Sequence, residues 1–293
     1  MKPVHAPVIF ITGGAGGIGA ALARRLHAAG ATVVLTDVDD APLAQVAAEL
    51  GGGERVLTVT ADVRDLPAMQ SAADAAVHRF GGIDVVVANA GIASNGSVLQ
   101  VDPAAFKRVL DVDVLGVFHT VRATLPAVLE RRGYVLIVSS LSAYAASPGS
   151  TSYDTAKAGV EHLADGLRLE LGHRGVAVGS AHMSFIDTAL VRECRDELPA
   201  FAAMLAKLPW PLSSTTSVDS CAAAFVKGIE RRRSHVYCPG WVRVFRWLKP
   251  VLSTGVVEAL VRRSTSQLLC QLDTEVAALG RCTSARVEAL EKL

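Results

Sequence analysis

Short, uninterrupted apolar runs recur through the first 240 residues, each followed by a longer stretch in which apolar side chains return with a helical period. Residues 8–11, 32–36, 55–60, 83–88, 134–138 and 176–181 are runs of this kind. A strand covered on both faces carries apolar side chains on both, so a continuous run marks a buried parallel strand where an alternating one would mark a half-exposed strand. The segments between them read as helices. Residues 20–29 are rich in Ala, Leu and Arg and stop at Gly30. Residues 66–80 form a second helical stretch, and 103–130 form a long one, with Asp102 placed to cap it ahead of Pro103. Six strand-then-helix units without an internal repeat predict one doubly wound parallel α/β sheet over residues 1–240, followed by a helical extension over 241–293.

The turn after the first strand is Thr12-Gly13-Gly14-Ala15-Gly16-Gly17-Ile18-Gly19. In such a strand–turn–helix opening Gly13 permits a tight backbone, Gly17 lets the chain approach a pyrophosphate, and Gly19 lets helix and strand pack closely. The amides at the start of the helix then point at the phosphates. The second strand ends in Asp37, close to the spacing at which a carboxylate accepts hydrogen bonds from an adenosine ribose and repels a 2′-phosphate. The glycine loop contains no Arg or Lys, and Val38 follows the acid, so nothing basic lies nearby in the sequence to hold a 2′-phosphate. The expected cofactor is NAD. A Walker phosphate loop is excluded, because no Gly-Lys-Ser/Thr follows.

Further polar and small residues fall at the ends of later strands. Asp62 and Val63 follow the third run, where Asp62 reads either as an adenine contact or as a helix cap. Asn89-Ala90-Gly91 follows the fourth, in the position where a cofactor crosses an open sheet. Ser140 ends the fifth. Thirteen residues later, Tyr153 and Lys157 stand at i and i+4, one face of a helix. A lysine cation beside a phenol favours phenolate and is expected to lower the tyrosine pKa toward neutrality, where the group exchanges protons usefully.

Taken together, these motifs resemble the classical short-chain dehydrogenases/reductases over roughly residues 6 to 240. The resemblance implies a Rossmann-type sheet, a nicotinamide cofactor and interconversion of an alcohol and a carbonyl compound. It places the acid/base role on Tyr153, ribose binding and pKa tuning on Lys157, and positioning of the substrate oxygen on Ser140. It further implies cofactor contacts at Gly13, Gly17, Ile18, Gly19, Asp62, Val63, Asn89, Gly91 and Thr188, and a homodimer or homotetramer. The chain departs from the family pattern in two places. Asp113 stands three residues before Gly116, where an asparagine usually supports a water-mediated proton relay behind the lysine. Met183-Ser184 replaces a common Pro-Gly pair.

Composition narrows the function classes. Half the residues are hydrophobic against 19% charged, enough for a buried core, and the net charge of +1 argues against a nucleic-acid binder. Five cysteines without C-x-x-C spacing read as reduced thiols, and the eight histidines lack metal-ligand spacing, so no metal is expected. Only His182 falls near the expected site, as a structural or pocket-lining residue. With no apolar run before the first strand and no charge-free 18-residue stretch, the expected location is cytoplasmic.

Three stretches leave alternatives open. Phe201, Met204, Leu205, Leu208 and Trp210 suit either an apolar substrate pocket or the packing of a lid. Residues 241–263 interleave Trp241, Phe245 and Trp247 with Arg243, Arg246 and Lys249. That pattern fits peripheral contact with an anionic membrane, a cover over a lipid-like substrate, or a helix packed on the body. Residues 267–293 carry a short apolar seam that suits a docked or oligomer-contacting helix. The leading function is an NAD(H)-dependent oxidoreductase acting on an apolar or lipid-like secondary alcohol or ketone. The alternative is a non-catalytic NAD-binding sensor or scaffold.

Overall fold

A computed structural model describes residues 6–290. Its frame is a sheet of seven parallel strands in the order β3-β2-β1-β4-β5-β6-β7. The strands are β1 (Val8–Thr12), β2 (Thr32–Asp37), β3 (Val56–Thr60), β4 (Val85–Ala88), β5 (Tyr134–Val138), β6 (Ala177–Met183) and β7 (His235–Cys238). Chain order reverses between β1 and β4, so the loops leaving the two diverge and open a crevice at the carboxyl edge of the sheet.

The continuous apolar runs explain the two layers. Ile9, Ile11, Val33, Leu35, Val87 and Leu136 point to one face, where α1 (Gly17–Ala28), α2 (Asp40–Glu49) and α9 (Val218–Glu230) cover them. Val8, Phe10, Val34, Val86, Val135 and Ile137 point to the other, beneath α3 (Leu66–Phe80), α5 (Gly116–Arg131) and α6 (Thr151–Leu171). Each such side chain, fully buried, contributes roughly 1.5–3 kcal/mol of transfer free energy. A one-residue slip of any strand would exchange its two faces.

The long helical stretch is observed as α4 (Pro103–Leu110) and α5, joined by one π-helical turn at Asp111–Leu115. Asp102 caps it, accepting from the Ala104 amide at 2.7 Å. The helix is long and apolar enough in composition to cross a membrane, but half of its most apolar window is buried against the sheet layer.

The structure adds a strand that the apolar pattern missed. β7 is an edge strand with alternating buried and half-exposed positions, and its His235-Val236-Tyr237-Cys238 makes no continuous apolar run. β6 also extends through His182 and Met183. After β6 come α7 (Ala189–Glu197) and α8 (Pro199–Lys207), and after β7 come α10 (Arg243–Leu252), α11 (Gly255–Leu279) and α12 (Ala285–Leu290). Leu272 and Val276 of α11 bury against Leu198 and Ala200, with Leu269 and Phe201 alongside, so the seam is a docked helix as expected. Glu275 accepts from the Ala200 amide at 2.9 Å, and Asp273 from the Ser97 amide at 2.7 Å, which fixes the helix against the body. Residues 291–293 of the seam segment lie outside the described residues. All five cysteines are free.

Candidate active site

The crevice at the β1/β4 reversal is a cavity of about 410 Å³. It collects Gly13, Gly17, Ile18, Asp37, Asp62, Val63, Asn89, Gly91, Ser140, Tyr153, Lys157 and Thr188 from seven separate stretches of chain. Among the residues expected at the site, Asp113 lies behind this lining and touches it through Lys157.

At the glycine turn, Gly13 has φ +65°, and a Cβ there would sit 2.9 Å from Asn89 Nδ2. Gly19 meets the backbone of the same turn: a Cβ on it would lie far inside van der Waals contact with the Gly13 carbonyl oxygen. Asn89 is what holds the turn. Its Nδ2 donates to the Thr12 carbonyl at 3.0 Å and more weakly to that of Gly13 at 3.3 Å. Thr12 Oγ1 accepts from the Asn89 and Ala90 amides at 3.0 and 3.1 Å. Asn89 thus ties the ends of β1 and β4 together, with its amide turned to the glycine loop. Asp37 Oδ2 accepts from the Ala15 amide at 3.0 Å, which fixes the carboxylate at the mouth of the turn.

Asp62 is not the cap of α3. Asp65 takes that place, accepting from the Ala68 amide, while Asp62 accepts from the Arg64 amide and Nε, both at 2.8 Å. Its alternative position, facing the crevice, is the one observed. Thr188 stands against Gly17, its Cγ2 3.6 Å from where a Cβ would be. Ser184, the departure after β6, lines the crevice with a buried hydroxyl that has no hydrogen-bond partner among the described residues. A glycine cradle, an acid at its mouth and an unsatisfied hydroxyl inside suit a dinucleotide with polar groups along its length.

At the inner end, Tyr153 and Lys157 share a face of α6, with Lys157 Nζ 5.3 Å from the phenol ring centre. The Ser140 hydroxyl lines the same cavity and favours the ionised phenol. Lys157 is buried and well held: Nζ donates to the Val138 carbonyl at 3.2 Å, and its own carbonyl accepts from Ser139 Oγ at 2.9 Å. Nζ also lies 2.9 Å from Asp113 Oδ2. Asp113 Oδ1 accepts from the Ile92 amide at 2.7 Å. A Cβ on Gly91 would collide with this pair, so glycine is required there by close packing. The π-helical turn sets Asp113 inward, a use to which such turns are often put at functional sites. The carboxylate meets the ammonium directly, so Asp113 stands as the ion-pair partner of Lys157.

The electrostatics correct one expectation. Burial is the largest influence on Tyr153 and raises its pKa above the ordinary phenol value. Lys157 and Ser140 pull it down, but Asp113 and Asp154 push it up, and the raised direction wins. The lysine's lowering effect is real but partly cancelled by the carboxylate it is paired with. Burial works to lower the Lys157 pKa, yet Asp113 and Tyr153 outweigh it and keep the ammonium protonated. Asp154, beside the tyrosine, is pushed up to about 6, chiefly by burial.

A second polar cluster lies under Ser140. His182 is fully buried, and because the Ser140 carbonyl can only accept, Nδ1 is its donor at 3.1 Å. Nε2 lies 2.9 Å from both the Tyr144 hydroxyl and Glu161 Oε2. Burial works to raise the Glu161 pKa, but His182 overrides it and brings the group to about 2. His182 is structural, as expected, and braces the serine's backbone. Glu161, Asp165 and His235 come close enough together to share an ion, but Glu161 pairs with His182 and Asp165 with Arg168.

Phe201, Met204, Leu205, Leu208 and Trp210 do not line the crevice. Phe201 packs against the α11 cluster and Leu205 is buried, so packing of the lid is the reading that holds for these two, while Trp210, 84% exposed, neither packs nor lines the crevice. Apolar lining of the crevice comes from Ile92, Val112, Met183, Leu190 and Val191 among others, with Val287 and Leu290 of α12 also in the lining. Arg286 of α12 reaches the cavity as well, its Nη2 3.7 Å from Asp37 Oδ1 and 3.4 Å from Asp39 Oδ2. The sequence showed no basic group near Asp37; folding supplies one from the far end of the chain, where no local spacing announces it.

Comparison with known proteins gives the family. The family description "short chain dehydrogenase" matches residues 7–199. An acetoacetyl-CoA reductase of Synechocystis is 34% identical over 192 residues, covering 65% of this chain and 76% of the relative. A cis-4-hydroxycyclohexanecarboxylate dehydrogenase of Sinomonas cyclohexanicum is 37% identical over 189 residues, covering 63% and 75%. A short chain dehydrogenase/reductase of Burkholderia phymatum, solved in complex with NAD, superposes with a TM-score of 0.74 at 24% identity, covering 84% of this chain and 94% of that one. The fold, the motifs and the match over two thirds of its length agree that this chain belongs to the short chain dehydrogenase family of oxidoreductases.

Proposed function

We propose that the protein is an NAD(H)-dependent oxidoreductase that interconverts a secondary alcohol and a ketone, with an apolar or lipid-like substrate. The observation that carries this reading is that Ser140, Tyr153 and the charged Lys157 meet in one cavity with a glycine cradle and an acid at its far end. A bound nicotinamide ring would supply or accept the hydride. In the reducing direction Tyr153 gives its proton to the substrate oxygen, which the Ser140 hydroxyl holds. The Lys157 cation stabilises the phenolate left behind, and Asp113 keeps that lysine charged in a buried position. In the oxidising direction the phenolate takes the proton. Asp37, fixed by the Ala15 amide, favours ribose hydroxyls over a 2′-phosphate. The apolar wall from Ile92 to Val191 favours an apolar substrate body.

The test is a panel of secondary alcohols and ketones of increasing apolar size, assayed with NAD and NADH through the absorbance of the reduced cofactor. Turnover of at least one apolar member is expected. Binding of NADH with no turnover of any member would favour the sensor or scaffold reading.

For partners, we infer a homo-oligomer and peripheral contact with an anionic membrane. Exposed Leu115, Phe118 and Leu169 along the layer of α5 and α6 support the first; light scattering at the mass of one chain would refute it. Exposed Val244, Trp247 and Val251 on α10, on the same helix as Arg243, Arg246 and Lys249, support the second. Full-length protein with Trp247→Ser and Val251→Ser is expected to sediment less with phosphatidylserine vesicles; equal sedimentation would end that reading.

A further inference from the structure

Arg286 stands where an adenosine ribose is expected. Asp37 is the group that selects between a 2′-hydroxyl and a 2′-phosphate, and its Oδ2 is already committed to the Ala15 amide. Its other oxygen, Oδ1, accepts from the Asp39 amide at 3.4 Å and faces the Arg286 guanidinium at 3.7 Å. The same guanidinium reaches Asp39 Oδ2 at 3.4 Å, and its Nη1 lies 3.8 Å from where a Gly16 Cβ would be. It therefore bridges the glycine turn and the end of β2, above a position that the turn itself leaves without a side chain.

The arginine is delivered there by a built segment. The Cys282 carbonyl accepts from the Asn95 amide at 2.7 Å, and Arg281 donates to the Thr283 carbonyl and to Glu197 of α7, each at 2.7 Å. Glu288 pairs with Arg108 of α4 at 3.4 Å and accepts from Thr283 Oγ1. Val287 and Leu290 face the cavity beside Arg286. The guanidinium itself is loosely held. Its side chain is 43% exposed, and both ion-pair distances exceed the 2.7–2.9 Å of strong charge-assisted hydrogen bonds. A cation in that state can turn to a phosphate without breaking a tight pair.

We propose that Arg286 is a cofactor-selectivity residue: the C-terminal helix α12 places its charge beside Asp37 to offset the acid and admit a 2′-phosphate. The inference rests on the nicotinamide-cofactor reading above. An acid standing alone would repel a phosphate dianion, whereas an acid beside a guanidinium that also faces the ligand repels it far less. NADPH is then also bound, more weakly than NADH, and the narrowness of that preference comes from α12, not from the strand that carries the acid.

The experiment measures equilibrium binding to the full chain by titration calorimetry, with no turnover required. The ligands are NADH, NADPH, adenosine 5′-monophosphate and adenosine 2′,5′-bisphosphate; the proteins are the native chain, Arg286→Gln and Arg286→Lys. Arg286→Gln is expected to weaken NADPH and the bisphosphate by about 10-fold or more, the size of a lost Arg–phosphate contact, and to leave NADH and the monophosphate within about 3-fold. Arg286→Lys is expected to recover part of the NADPH loss. Equal weakening of NADH and NADPH would overturn the proposal, since it would place the arginine on a phosphate common to both or in a purely structural role. Unchanged binding of both, or stronger NADPH binding, would overturn it as well. If the native chain binds NADH but Arg286→Gln does not alter the ratio, only this inference falls. If the native chain binds neither cofactor, the cofactor reading falls with it.

Discussion

The pair formed by Lys157 and Asp113 is the most consequential charge arrangement in the site, and removing its acid gives a sharp test. At 2.9 Å the Coulomb attraction is about 6 kcal/mol for an effective dielectric constant of 20. Much of that is offset by the desolvation of two buried ions, since Lys157 and Asp113 are almost wholly inaccessible. Asp113→Ala removes the acid but leaves the ammonium with the Val138 carbonyl as its remaining charge-stabilising acceptor on the main chain. Orphaning one partner of a buried pair costs about 3–5 kcal/mol. Asp113→Asn keeps an acceptor for the Ile92 amide and for Lys157, and should cost about 1–2 kcal/mol. Chemical denaturation followed by circular dichroism reads both. The pH dependence of kcat/KM for alcohol oxidation reads the second consequence. Asp113 pushes the Tyr153 pKa up, so its replacement by Asn, with Lys157 still charged, moves the rise in rate, which follows phenolate formation, to lower pH. A loss below about 1 kcal/mol for Asp113→Ala would refute the buried pair. A profile that stays in place would refute the electrostatic coupling to Tyr153, and a move to higher pH would show that Lys157 loses its charge with the acid.

Other outcomes follow from the same geometry. Tyr153→Phe should lower turnover by about 10²- to 10⁴-fold while NADH binding, read by calorimetry, stays close to native; undiminished turnover would remove the tyrosine from its role. Gly19→Ala would drive a Cβ into the Gly13 carbonyl oxygen, so NADH binding should be lost and the melting temperature should fall. An unchanged melting temperature would show that the turn relaxes freely. His235 carries a pH signature. Burial, with the cations Arg246 and Arg168, depresses its pKa from 6.5 to about 4. Below pH 6.5 the unfolded chain takes up a proton that the folded chain refuses until about pH 4, so this stability is present at neutral pH and is lost as pH falls through that window. The shift corresponds to about 3 kcal/mol at most. Denaturation midpoints between pH 7 and pH 4 should fall less steeply for His235→Gln than for the native chain; parallel slopes would contradict the assignment.

Much of the site could be read from local pattern because its parts obey local rules. The glycine turn, Asp37 and the Tyr153/Lys157 face each lie within one strand–turn–helix unit or one helix, and strand ends converge on a common edge in a doubly wound sheet. Open readings closed only once the partners were in place. Asp62 reads as an adenine contact or a helix cap until Arg64 is seen folded back on it and Asp65 in the capping place. Tyr153 looks like a phenol acidified by its lysine until burial and the Asp113 charge are added. Phe201 and Leu205 look like pocket walls until α11 is seen lying across them. β7 escaped notice because an edge strand, partly open to solvent, lacks the continuous apolar run of a central one.

What the sequence alone determined is the sheet, the glycine turn and the shared face of Tyr153 and Lys157, because period, glycine placement and i,i+4 spacing act through the nearest few residues. What only the tertiary structure decided is the charge that each of those groups experiences. Electrostatic energies depend on distance in space and on burial, and neither is written in chain order. Asp113 reaches Lys157 through one widened helical turn, and Arg286 reaches Asp37 from the opposite end of the chain. The motif residues thus name the chemistry, and their partners from distant segments set the proton affinity of Tyr153 and the charge that meets a cofactor.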